Sequence, residues 1–86
     1  MGYKVEYSPE AQRRLDKLDR TVAARIIKLM DRVELLVDPR SIGEALHGNL
    51  SAYWKYRAGD WRVIASIYDN LLVVEVIEIE HRSKAY

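Results

Sequence analysis

Apolar and polar residues alternate over Tyr3-Lys4-Val5-Glu6-Tyr7, the period of a strand with one buried face. The period then changes. Ser8 can cap a helix through its hydroxyl, and Pro9 suits the first helical position, where its missing donor is not needed. Ala11, Leu15 and Leu18 follow at helical spacing and predict a short amphipathic helix. Asp19-Arg20-Thr21 interrupts with two candidate N-caps. Val22, Ile26, Leu29, Met30, Val33, Leu36 and Val37 then mark one face of a second helix, with Arg25, Lys28, Asp31, Arg32 and Glu34 mostly on the other. Asp38-Pro39 stops it, because a residue before proline is steered away from helical geometry. The short link predicts two antiparallel helices packed as a hairpin.

Residues 40–51 are rich in turn formers and predict a loop with one helical turn near Ala45-Leu46. Three strands follow. Tyr53 to Arg57 is aromatic-rich; Ala58-Gly59-Asp60 is a short turn, so Trp61 to Tyr68 should pair back as a hairpin. Asp69-Asn70 is a second turn. Leu71 to Ile79 is the most apolar stretch and β-branched, the mark of a central strand. The order is β-α-α-β-β-β. A three-stranded meander needs its apolar face covered, and the helical hairpin supplies the cover. The expected fold is a two-layer α+β domain: an N-terminal strand at the sheet edge and a helical hairpin packed on an antiparallel sheet.

Composition narrows the possibilities. The chain has 86 residues and fits one domain spanning all of them, residues 1–86. Its hydrophobic fraction of 49% is that of a folded globule. There is no cysteine, which excludes disulfides, thiolate chemistry and Cys-based metal sites. Lys4, Glu6 and Glu10 break any signal-peptide pattern, and no apolar run approaches the roughly 20 residues of a membrane span. The expectation is a soluble cytoplasmic protein with no membrane partner. Net charge is +1, so any site for a polyanion must be a local patch.

Strand alternation puts Tyr53, Lys55 and Arg57 on one face and Trp54 and Tyr56 on the other. Arg62 begins the paired strand across the turn. Three cations that close repel one another unless an anion visits, and a guanidinium fork matches phosphate. The simpler reading is solvated charge on an open sheet face, with Asp60 and Glu75 as ion-pair partners each contributing about 0–1 kcal/mol. Trp54, Tyr56 and Trp61 read first as packing residues. His81, Arg82 and Tyr86 follow the last strand, and a histidine with a reference pKa of about 6.5 can exchange protons near neutrality. His47 has no pattern partner. Two separated histidines have no ligand spacing, so no metal and no cofactor is expected. From Tyr53 onward, Lys55, Arg57, Arg62, Arg82 and Lys84 are matched by Asp60, Asp69, Glu75, Glu78 and Glu80. The patch is cationic only if the sheet separates the two signs.

Nearly the whole chain resembles the RelE/ParE toxin superfamily, nearer its RelE-type messenger-RNA interferases. The resemblance is carried by the strand before Ser8-Pro9-Glu10-Ala11, by Leu15-Asp16-Lys17-Leu18, by Asp38-Pro39 and by Ala45-Leu46-His47-Gly48. Tyr53-Trp54-Lys55-Tyr56-Arg57-Ala58-Gly59-Asp60-Trp61-Arg62-Val63-Ile64 and Glu80-His81-Arg82-Ser83-Lys84-Ala85-Tyr86 complete it. It implies the toxin of a type II toxin–antitoxin pair. Such a toxin enters the ribosomal A site, where the messenger RNA's own 2′-hydroxyl attacks the adjacent phosphate without a metal. By the same resemblance Lys55 is general base or charge stabiliser. Arg57 and Arg62 hold the phosphate, Arg82 serves the leaving oxygen, Tyr86 stacks on or orients a base, and His81 binds substrate. The implied partners are a cognate antitoxin, in a possible hetero-oligomer, together with the ribosome and messenger RNA. Two alternatives share the fold: a ParE-type inhibitor of DNA gyrase without nuclease chemistry, and a non-toxic binding protein.

Overall fold

The Ser8 hydroxyl accepts the Ala11 amide at 3.1 Å, and Pro9 takes the first helical position, as the sequence predicts. The computed structural model describes residues 2–48 and 52–84. In chain order these form β1 (Lys4–Tyr7), α1 (Pro9–Lys17), α2 (Arg20–Leu35), a 3-10 turn (Pro39–Ser41), β2 (Glu44–Ala45), β3 (Tyr53–Ala58), β4 (Trp61–Tyr68), β5 (Val73–His81) and a closing 3-10 turn (Arg82–Lys84). Of the two candidate caps for α2, Asp19 is used: its carboxylate accepts the Thr21 amide at 3.0 Å. No helix among the described residues is long and apolar enough to cross a membrane.

The sheet runs β1-β5-β4-β3-β2. β3, β4 and β5 form the expected antiparallel meander. β1 sits at the edge, also as expected, but pairs with β5 in parallel, from Lys4 opposite Val73 to Tyr7 opposite Val76. The sheet is therefore mixed rather than wholly antiparallel. A parallel pair needs a long crossover, and the chain between β1 and β5 supplies it. Both helices lie on one face. Ala11 and Leu15 of α1 and Ile26, Met30 and Val33 of α2 pack on Tyr56, Ala58, Val63, Ala65, Val74, Val76 and Ile79 of the sheet. Removing a side chain of the Val, Ile or Met class from water contributes about 1.5–3 kcal/mol, so this layer is the main source of stability.

Three boundaries differ from expectation. α2 ends at Leu35, and Val37 is 87% exposed instead of continuing the buried face. Asp38 is the reason: its carboxylate accepts the Arg40 amide at 2.9 Å and opens a 3-10 turn instead. The expected helical turn near Ala45-Leu46 is extended β2, held by β3. The second hairpin turn extends through Leu72, so β5 starts at Val73 and runs two residues past Ile79. Asp69 is drawn away from the strand by the Tyr3 hydroxyl at 2.6 Å and by both terminal nitrogens of Arg40, at 2.9 and 3.1 Å. Leu72 then takes a left-handed φ of 54°.

Candidate functional site

The site builds outward from β3. Tyr56 and Trp54 turn to the helix layer, where the Tyr56 hydroxyl donates to the Pro39 carbonyl at 2.6 Å and Trp54 Nε1 donates to the Ile42 carbonyl at 2.8 Å. Both are packing residues, as their alternation predicts. Lys55 and Arg57 point to the opposite, open face. Cross-strand pairing sets Arg57 opposite Arg62 and Lys55 opposite Ile64. Lys55, Arg57 and Arg62 thus share a face and a neighbourhood.

β2 adds a residue that the sequence pattern did not reveal. Glu44 lies opposite Lys55, and its Oε2 is 2.9 Å from Lys55 Nζ and 3.4 Å from Arg57 Nη2. The Lys55 ammonium beside it, with Arg57 next, holds the Glu44 carboxyl below the usual carboxylate range. Its position is built in. Gly43 adopts φ 84°, and a Cβ there would meet the Lys55 carbonyl oxygen at 2.5 Å and Trp54 Nε1 at 2.7 Å. Only glycine lets β2 approach β3 this closely.

The sheet separates the two signs by strand but not by face. In β5, Glu78 lies opposite Ile64 and Val76 opposite Ala65, so Ile77 is an extra residue, a β-bulge. The bulge re-phases the strand. Glu75, opposite Ser66, therefore shares the open face with Glu78 and with Glu80, which is opposite Arg62. Val74, Val76 and Ile79 all turn inward instead. The open face is a cationic band on β3 and β4, bordered by Glu44 on one side and by the β5 glutamates on the other.

The tail contributes unequally. Arg82 is drawn to the β3–β4 turn: its amide donates to the Asp60 carbonyl at 2.8 Å and its Nη1 is 3.5 Å from Asp60 Oδ1. That brings it to the hairpin end bearing Arg57 and Arg62. His81 does not join them. It pairs with Trp61 across the sheet, with ring centroids 5.1 Å apart and planes at 81°, while Arg14 stacks over the same indole at 5.4 Å. Its Nδ1 lies 2.7 Å from the Ser83 hydroxyl and 3.2 Å from the Ser83 amide. Tyr86 lies outside the described residues.

Residues 5–86 match the family described as the ParE toxin of type II toxin–antitoxin systems, parDE. The chain belongs to this family. Toxin RelE of Mycobacterium tuberculosis is 33% identical over 98% of this chain and 86% of that protein. In three dimensions the chain is similar to the toxin–antitoxin complex RelBE2 from Mycobacterium tuberculosis. The TM-score is 0.84 and the identity 24%, over 98% of this chain and 95% of that one. It is also similar to the archaeal RelE–RelB complex from Pyrococcus horikoshii, with TM-score 0.75 and 26% identity over 99% of this chain and all of that one. As a member of the RelE/ParE superfamily, the chain is a toxin of the type II class with an α+β fold. Within that framework Glu44 is the site neighbour the sequence reading missed. The local signal was Gly43 immediately before it, two residues after the 3-10 turn.

Proposed function

We propose that this toxin is a ribosome-dependent endoribonuclease that cuts messenger RNA in the A site. The observation that supports this most is the convergence of Lys55, Arg57 and Arg62 in adjacent registers, with Arg82 brought to the same hairpin end by Asp60. In the proposed reaction the RNA 2′-hydroxyl gives up its proton and attacks the adjacent phosphorus. The bond to the 5′-oxygen breaks, leaving a 2′,3′-cyclic phosphate and a protonated 5′-hydroxyl. Lys55 serves as general base or charge stabiliser and Arg57 and Arg62 grip the phosphate. Arg82 serves the leaving oxygen, Tyr86 stacks on a base, and His81, turned toward Trp61, contacts the flanking strand. Such a reaction draws on proton transfer and charge stabilisation, which side chains can supply without a metal. The neutralising partner is a cognate antitoxin, as the RelE–RelB complexes suggest. Mapping of messenger-RNA ends by primer extension after induction tests the reading: codon-phased cuts in translated messages are expected. Toxicity without such cuts would remove it.

A second reading, inhibition of DNA gyrase, is favoured by the ParE description of the matching family and by the carboxylates bordering the cationic band. The double change Arg62→Ala with Arg82→Ala separates the two. Loss of toxicity supports the nuclease; retained toxicity with a DNA-damage response supports the gyrase inhibitor.

A further inference from the structure

We propose that Glu44 is a displaceable counter-ion that occupies the place of a substrate phosphate between Lys55 and Arg57. This rests on reading the open face as a phosphate site. A single carboxylate oxygen, Oε2, reaches both cations, the sharing that one phosphate oxygen would make. The three partners differ in freedom. The Lys55 side chain is 10% exposed and held in place, whereas Arg57 and Glu44 are 54% and 53% exposed, Glu44 on a strand of two residues. Of the two exposed partners Glu44 is the anion, so it is the one an incoming phosphate replaces, and water receives its freed carboxylate. The same groups line a recess of about 370 Å³ at the sheet edge, to which Arg32 of α2 also contributes.

Exchange of one singly charged anion for another is nearly balanced at Lys55 and Arg57 alone. The balance tips only when the incoming phosphodiester makes further contacts, at Arg62 and Arg82. Glu44 thus favours a phosphate embedded in a strand and gripped at several points over one held at Lys55 and Arg57 alone. It is a specificity-determining residue. There is also a consequence for salt. Cations already neutralised by an internal carboxylate displace fewer counter-ions from the RNA when it binds, and each further phosphate neutralised adds about 0.7 to the slope for single strands.

The test measures binding of a short fluorescein-labelled single-stranded RNA to the wild-type chain, Glu44→Gln, Glu44→Asp and Lys55→Ala over a range of KCl concentrations. Inorganic phosphate serves as competitor. Glutamine keeps an acceptor for Lys55 but removes the charge. Glu44→Gln should bind RNA several-fold tighter, with a salt slope steeper by about 0.7 for the one negative charge removed, and should become sensitive to phosphate. Glu44→Asp, whose carboxylate is withdrawn, should move in the same direction by less. Lys55→Ala should weaken binding. Equal or weaker RNA binding by folded Glu44→Gln, while Lys55→Ala weakens it, overturns the role of Glu44 and leaves the phosphate face standing. Wild-type RNA affinity in Lys55→Ala overturns the phosphate face and the proposal together. If Glu44→Gln melts early, Glu44→Asp alone decides by the same criteria.

Discussion

Arg82 and Asp60 hold each other twice, through a 2.8 Å backbone hydrogen bond and a 3.5 Å ion pair. The backbone bond joins the tail to the β3–β4 turn whatever the side chains are. The guanidinium, 67% exposed, stays available to a ligand.

Arg82→Ala should therefore barely change stability. An exposed pair contributes about 0–1 kcal/mol, and the main-chain bond survives. Messenger-RNA cleavage should fall by about 10²-fold or more if Arg82 serves the leaving oxygen. Urea unfolding and single-turnover cleavage on programmed ribosomes would read the two effects separately. Retained cleavage would remove Arg82 from the reaction.

Gly43 and Gly48 offer a contrast. Both have left-handed backbone, φ 84° and 66°, but a Cβ at Gly43 strikes the Lys55 carbonyl oxygen and Trp54 Nε1, whereas one at Gly48 has nothing within 4 Å. Gly48→Ala should cost only the left-handed penalty, about 1–2 kcal/mol. Gly43→Ala adds the clash and should cost about 1–3 kcal/mol more, and it should detach Glu44 from Lys55. Denaturant midpoints rank the pair; equal midpoints would mean that β2 is not pinned.

Ile26 is fully buried at the centre of the helix layer. Ile26→Ala should destabilise by about 2–5 kcal/mol through lost transfer energy and a residual cavity. For a domain of this size that is a large part of the total. A loss under about 1 kcal/mol in urea would show that the layer collapses to refill the space.

The pH response has two limbs. Burial, followed by the charges of Asp31 and Glu34, pushes the Tyr7 hydroxyl up to about 12, and burial pushes Tyr56 up to about 12. The folded state holds these protons more tightly than the unfolded state, whose tyrosines titrate near pH 10. Their contribution is complete below about pH 10 and is lost as pH rises toward 12. Asp69 has the opposite sign. Arg40 and then Tyr3 hold its carboxyl down, so its contribution is present above the usual carboxylate range and fades in acid. Phenolate absorbance should show Tyr7 and Tyr56 ionising late and together with unfolding. In Tyr56→Phe the late step should shrink. Titration of every tyrosine near pH 10 with the fold intact would contradict the burial argument.

Much of this architecture was legible because its causes are local. Ser8-Pro9, Asp19 and Asp38-Pro39 act on amides within a few residues, and alternation along β3 needs only its own sequence. The unread parts depend on distant partners. β2 exists because Trp54 captures the Ile42 carbonyl and Gly43 admits β3. Plain alternation along β5 would have set Glu75 on the face opposite Glu78 and Glu80. The bulge at Ile77, a matter of register against β4, brings all three to one side. The direction of β1 depends on β5, far away in the chain.

The pairing of β1 with β5 also governs the order of assembly. β5 is the last strand among the described residues, yet it lies between β1 and β4. Until residues 73–81 are available, β1 has no neighbour, and Val74, Val76 and Ile79 are missing from the layer under the helices. Contacts of such long separation slow folding, because the chain must close its largest loop before the contact stabilises it. A nascent chain emerging N-terminus first thus carries the hairpin cations with no completed sheet beneath them. The cationic face is complete only once β5 has paired between β1 and β4.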